Sequence, residues 1–209
     1  MSYILNIYEK NQLIYSNISY KGKLILKFNK NYNLFHYNIL KKIKKYGIKI
    51  TIIKSIALNF GPALSYTRLR NLLSSVKGLC FSLKIPLIKL NDFLIILLKY
   101  KYLNINKNIN FIVHYKKKIF IFNYNLILDK ITPIKFYLYI NDVFTYIKSN
   151  SNKYLFFINK KFKKNYKPFN KFIFFYKNSY KFINKISFLF YKKKIFVKNI
   201  NTCIPIYFF

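Results

Sequence analysis

Side chains capable of chemistry are few and scattered in this chain of 209 residues. The acids are Glu9, Asp92, Asp129 and Asp142, and no two stand where a carboxylate pair for general acid and base work is expected. His36 and His114 are the two histidines, and no i, i+4 pair exists to aim two imidazoles from one helix face at a metal. Cys80 and Cys203 make neither a metal-spaced set nor a disulfide framework. Cys80 lies in line with the apolar face of the strongest helical pattern, where a small core residue is a better account than a nucleophile. No P-loop and no Gly-x-Gly-x-x-Gly is present. The residues point away from catalysis, from a bound metal and from a cofactor.

One stretch is spelled differently from its surroundings, GPALSYTRLRNLLSSVKGLCFSLKIPLI, Gly61 to Ile88. It holds both arginines, Arg68 and Arg70, two of the four glycines and two of the five prolines. A short apolar run ends at Leu58, Gly61-Pro62 makes a turn, and Ser65-Tyr66-Thr67 opens a helix. The N–H groups at such a helix start are an anion site in principle. Arginines in the first turn oppose the helix dipole, so they face an acidic partner or an RNA backbone, or are simply solvated.

The elements that must position this stretch are legible in the first hundred residues. Residues 3–8, 12–18 and 23–28 are rich in β formers and separated by polar turns, which predicts an antiparallel meander. Residues 33–46 change period, with His36, Ile39, Leu40 and Ile43 at helical spacing and Gly47 as the C-cap. A β-branched run over 51–58 predicts a buried strand. Residues 66–84 carry Leu69, Leu72, Leu73, Val76, Leu79, Cys80 and Leu83 at i, i+3, i+4, i+7 spacing. Pro86 ends that helix, Leu87-Ile88 is a short strand, and Asn91 caps a helix running to Tyr100. The predicted order is βββαβαβα. An Asn-rich polar segment at 101–110 then suggests a boundary, with one lobe over 1–103 and a second over 104–209 whose last residues return to the first. In the second lobe, 111–115 and 119–124 read as a hairpin, 136–140 as a strand, 142–148 as a short helix and 179–193 as patchy helix. Residues 150–178 repeat Asn, Lys, Phe and Tyr without an assignable period.

Charge narrows the partners less than its size suggests. Lys and Arg number 39 against 4 acids, a formal net charge of +35. That is the footprint of a nucleic-acid or anionic-surface partner. Lys, Asn, Ile, Phe and Tyr also share AT-rich codons, and drift in a strongly AT-biased genome, as in a reduced endosymbiont, would spread lysine evenly, as it is spread here. No apolar run approaches the ~20 residues that span a bilayer, and no signal peptide is visible, so the expectation is a cytoplasmic protein without a membrane partner.

The segment 33–98 resembles the TsaB family of tRNA threonylcarbamoyladenosine biosynthesis proteins. The resemblance rests on Gly61-Pro62, Ser65-Tyr66-Thr67, Leu69-Arg70, Val76-Lys77-Gly78-Leu79 and Ile85-Pro86-Leu87-Ile88. His36 with Leu40 and Ile43 is similar to that family's first helix, and Ile204-Pro205-Ile206-Tyr207 to its C-terminal close. Three departures stand out. Ala63-Leu64 replaces a single glycine, Arg68 replaces another, and Tyr8-Glu9-Lys10 stands where the wider superfamily has its phosphate loop.

The resemblance implies an α/β, actin-like ATPase (RNase H-like) fold of two lobes, without catalytic activity or cofactor. It implies a TsaD-like catalytic subunit as partner, a TsaE-like ATPase in the assembly, tRNA reached indirectly or through the basic surface, and a possible homodimer. It implies that helices 33–46 and 66–84 dock the partner, with His36, Ile39, Leu40, Ile43, Leu69, Leu72, Leu73 and Val76 as the interface, so that Leu72→Asp or Val76→Asp would weaken pairing in a folded chain. A basic RNA-binding or ribosome-associated protein is the alternative. A catalytic paralogue is disfavoured because its metal-binding histidine pair is missing.

Overall fold

The computed structural model describes residues 2–10, 13–30, 35–61, 66–99, 108–115, 118–125, 130–137, 139–151, 154–169, 173–176 and 182–202. Two compact units emerge, Met1–Ile95 with Tyr180–Phe209, and Ile96–Ser179. The sequence reading set the boundary at 103 and had the last residues return to the first lobe. The unit boundary falls earlier, after Ile95, and the return includes the C-terminal helix, which packs on the first lobe's sheet.

The first lobe starts with strands β1 (Tyr3–Lys10), β2 (Leu13–Tyr20) and β3 (Lys23–Lys30), a meander as expected. Helix α1 (Phe35–Lys45) crosses over to β4 (Ile53–Asn59). Helix α2 (Tyr66–Leu83) leads to β5 (Leu87–Leu90), and α3 (Asp92–Lys99) follows. The sheet order is β3-β2-β1-β4-β5, with β1 antiparallel to β2 and parallel to β4. This is the βββαβαβα order read from the sequence.

The second lobe repeats the plan. Strands β6 (Asn108–Tyr115), β7 (Lys118–Asn125) and β8 (Lys130–Tyr137) form a meander, α4 (Ile140–Asn150) crosses over, and β9 (Tyr154–Asn159) pairs parallel to β6. A 3-10 stretch over Lys160–Phe169 precedes β10 (Ile173–Tyr176), giving the order β10-β9-β6-β7-β8. The sequence placed a strand at 136–140; it ends at Tyr137 and begins at Lys130. Pro133 masks it, yet β8 is an edge strand, where a missing ladder donor is tolerated. Residues 150–178 hid β9 because its Phe156, Phe157 and Ile158 are all buried, so neither face alternates.

The first lobe's sheet has two unlike faces. Leu5, Ile7, Ile18, Ile56, Leu58 and Leu87 form one core with Ile39 and Ile43 of α1 and Leu69, Leu72, Leu73, Val76 and Cys80 of α2. Strand alternation puts Asn6, Asn17, Ser19 and Ser55 on the other face, all buried. Asn6 Nδ2 donates to Asn17 Oδ1 at 3.0 Å and approaches Ser19 Oγ at 2.9 Å and the Ile4 carbonyl at 3.3 Å. Helix α5 (Ile183–Lys192) packs on β1, β3 and β5, and its Asn184 and Ser187 are buried as well. The second lobe has its own cross-strand pair, where Asn123 Nδ2 donates to Asn110 Oδ1 at 3.0 Å. There the pair shares a face with Ile112 and Ile121, against α4.

Asn6→Ala strips Asn17 and Ser19 of a buried donor and should cost about 2 kcal/mol, read as a lower urea midpoint at unchanged slope.

Candidate functional site

The distinctive stretch begins where β4 ends. Asn59 is buried and its side chain works in two directions. Its Oδ1 accepts the Gly61 N–H at 3.1 Å, folding the chain back at the strand's end, and its Nδ2 donates to Asp92 Oδ1 at 2.7 Å. The backbone doubles the link. Phe60 N–H donates to the Leu90 carbonyl at 2.8 Å, and Asp92 N–H to the Gly61 carbonyl at 2.9 Å. Gly61 has φ +104°, a conformation that side-chain-bearing residues rarely reach. Asn91 then caps α3, its Oδ1 accepting the Leu94 N–H at 2.7 Å. The C-terminal ends of two neighbouring parallel strands are thus clamped together at the point where each hands over to a helix.

The clamp sets the state of Asp92. Burial pushes its carboxyl up to about 6, against the smaller opposing effect of the Asn59 hydrogen bond. One oxygen is occupied by that amide, so the arrangement is suited to holding a turn rather than to relaying protons. Sequence reasoning identified the turn at Gly61 and missed Asn59 and Asp92 as its fastening. The Asn-x-Gly spacing was the available signal for Asn59.

Of the motif residues, Pro62 and Ser65 lie outside the described residues. Tyr66 begins α2, and Thr67, Arg70 and Gly78 are exposed along it. Lys77 Nζ donates to the Asn201 carbonyl at 3.1 Å, fastening α2 to the returning C-terminal segment. The C-terminal pattern at 204–207 lies outside the described residues.

The eight interface candidates divide sharply. Leu69, Leu72, Leu73 and Val76 of α2 and Ile39 and Ile43 of α1 are buried in the lobe's own core. Their stripe is consumed inside the chain, so Leu72→Asp and Val76→Asp report on folding rather than docking. Leu40 is 42% exposed, and the His36 side chain lies outside the described positions. The outward positions are instead Tyr37, Leu40, Lys41 and Lys44 on α1 and Arg70, Ser74, Gly78 and Phe81 on α2.

Other reactive residues sit in structural roles. Cys80 is a small residue buried in the core. His114 stacks on Phe162 at 3.9 Å, and its Nε2 lies 2.9 Å from the Tyr166 hydroxyl. Burial pushes the Tyr166 hydroxyl up. Among the described residues no group of three metal-capable side chains converges. No helix among them is long and apolar enough to cross a membrane.

No family model and no curated protein matches the chain. Solved structures do. An uncharacterized protein with similarity to peptidase YeaZ from Pseudomonas aeruginosa is 12% identical, with 99% of each chain covered and a TM-score of 0.57. YeaZ from Pseudomonas aeruginosa is 12% identical over 100% of each chain, also at 0.57. A Bacteroides thetaiotaomicron protein with actin-like ATPase fold and unknown function is 11% identical at 0.47, covering 88% of this chain and 95% of its own. At such identity the likeness to the first two establishes the fold, a two-lobed actin-like α/β architecture.

Two outcomes test the clamp. The unfolded chain releases the Asp92 proton near 3.8 and the folded chain near 6, so stability falls as pH rises from about 4 to 6 and then levels off. Asp92→Asn should flatten this dependence and raise the Tm at pH 7 but hardly at pH 4. Gly61→Ala should lower stability by at least about 1 kcal/mol in denaturant titrations, from strain at φ +104°.

Proposed function

We propose that the chain is a non-catalytic partner subunit for a TsaD-like transferase that threonylcarbamoylates the adenosine beside the anticodon of tRNAs reading ANN codons. A TsaE-like ATPase completes the assembly, and the setting is the cytoplasm. The observation that carries this reading is the full-length likeness to YeaZ, the TsaB homologue, coinciding with a TsaB-like pattern at the Gly61 turn and along α2.

The docking surface in this reading is the outward face of α1 and α2. Tyr37, Leu40 and Phe81 are exposed apolar groups there, at 58%, 42% and 66%. Ser74 and Gly78 lie one helical turn apart, small enough to let a second helix approach closely. A Cβ at Gly78 would meet nothing within 4 Å among the described residues. Glycine there costs roughly 0.5–1 kcal/mol of helix stability against alanine without an internal packing reason. A neighbouring chain would supply that reason, and the same face would serve a homodimer when the partner is absent.

Co-purification with a TsaD-like protein tests the assignment. Leu40→Asp and Phe81→Asp should keep the wild-type Tm yet weaken pairing by about tenfold or more. Gly78→Ala should raise stability by about 0.5–1 kcal/mol, and Gly78→Leu should weaken pairing. Wild-type protein that ignores TsaD, or variants that pair normally, would refute it.

A further inference from the structure

A cleft of about 720 Å³ opens in the first lobe where β4 begins, α2 ends and α5 ends. It sits at the N-terminal side of the parallel strands, opposite the end where ligands of open α/β sheets usually bind. Four lysines line it, Lys54, Lys84, Lys192 and Lys194, together with the aromatic pair Tyr191 and Phe196. None of the described residues lining it is acidic. The lysines are exposed, and Lys54 Nζ is held at the rim by the Thr51 carbonyl at 3.3 Å.

Lysines near helix C-termini have an ordinary explanation, which is to answer the orphan carbonyls. Here the backbone already does that. Ile85 N–H donates to the Cys80 carbonyl and Lys84 N–H to that of Phe81; Ile195 N–H donates to the Phe190 carbonyl and Lys194 N–H to that of Tyr191. Both helices therefore close with the same 6→1 and 5→2 bond pair, and the residue that must turn left-handed is a lysine each time, at φ +52° for Lys84 and +54° for Lys194. Helix α1 closes the same way, with glycine at that position, Gly47, which does not line the cleft. The two helix ends that face the cleft thus carry a cation in a conformation that glycine adopts more readily.

We propose that this cleft binds a nucleotide unit, its phosphates on the four lysines and its base against Tyr191 or Phe196. The volume suits a ligand of that size, the cations suit phosphates, and aromatic faces accept any base. Tyr191 and Phe196 pack edge to face at 6.0 Å, which fixes the wall they offer. The unit belongs either to a free nucleotide or to an RNA strand, and the site stands independently of any transferase partner.

Fluorescence anisotropy with a labelled eight-nucleotide single-stranded RNA, with ATP and pyrophosphate as competitors, tests this on the full chain. The informative variant is Lys84→Gly with Lys194→Gly, which removes two charges while relieving the backbone. It should bind the RNA about tenfold or more weakly, with a Tm equal to or a few degrees above wild type. Lys23→Gln with Lys27→Gln removes the same charge from β3, away from the cleft and from the docking face, and should leave affinity within about threefold. Tyr191→Ala should weaken RNA binding and leave pyrophosphate competition intact. Displacement by ATP assigns the site to a free nucleotide, and RNA binding that ATP does not displace assigns it to a strand; either supports the proposal. Equal losses in the two double variants, or no binding by wild type at ~0.1 M salt, would overturn it in favour of a diffuse polycation.

Discussion

Parallel pairing of β1 with β4, and of β6 with β9, is the constraint from which the rest of each lobe follows. A parallel partner cannot be reached through a tight turn, so the chain must cross a face of the sheet, and a helix is the economical way to cross with every backbone group satisfied. Once α1 has crossed, β1 lies in the middle of its sheet with neighbours on both sides. Both of its faces are then covered. Ile7 goes into the core under α1 and α2, while Asn6 goes to the opposite face. The amide of that buried asparagine is satisfied by its cross-strand neighbour, another asparagine whose carbonyl accepts it.

The same constraint decides what the helices have left to offer. The apolar stripe of α2 is the natural candidate for a docking surface when the helix is viewed alone. In the folded lobe it covers Leu5, Ile56, Leu58 and Leu87, and Val76 retains no exposed surface. The outward face keeps small and polar residues with Phe81 at one end. The surface that α2 leaves to solvent is therefore the face that sequence periodicity discounts.

A chain with 39 basic and 4 acidic residues has little scope for salt bridges and satisfies its polar groups by other means. Lysine ammonium groups lie over rings, as with Lys41 above Tyr37 at 5.5 Å and Lys27 above Tyr15 at 5.8 Å. Asparagine takes over capping at Asn91, whose Oδ1 accepts a backbone N–H, and clamping at Asn59, whose carbonyl serves backbone and whose amide serves a side chain. The carboxyl at Asp92 receives an amide from Asn59, while burial makes it hold its proton more tightly than usual.

Local pattern determined the elements of the first hundred residues. The two helices were readable because each has one buried and one open face, written at spacing 3.6, and the strands and the turn at Gly61 because runs of β formers there are bounded by polar or Gly-Pro turns. In the second lobe the β6–β7 hairpin and helix α4 were readable, whereas β8 was placed too late in the chain and β9 and β10 were not seen. Strand β9 is buried on both faces and has no alternation, and β8 carries a proline that only its edge position excuses. Only the tertiary structure could join Asn59 to Asp92 across 33 residues, bring α5 back onto the first sheet, and assign the α2 stripe to the core. Spacing along a chain reports that a face is apolar; which surface then covers it depends on contacts between residues far apart in sequence.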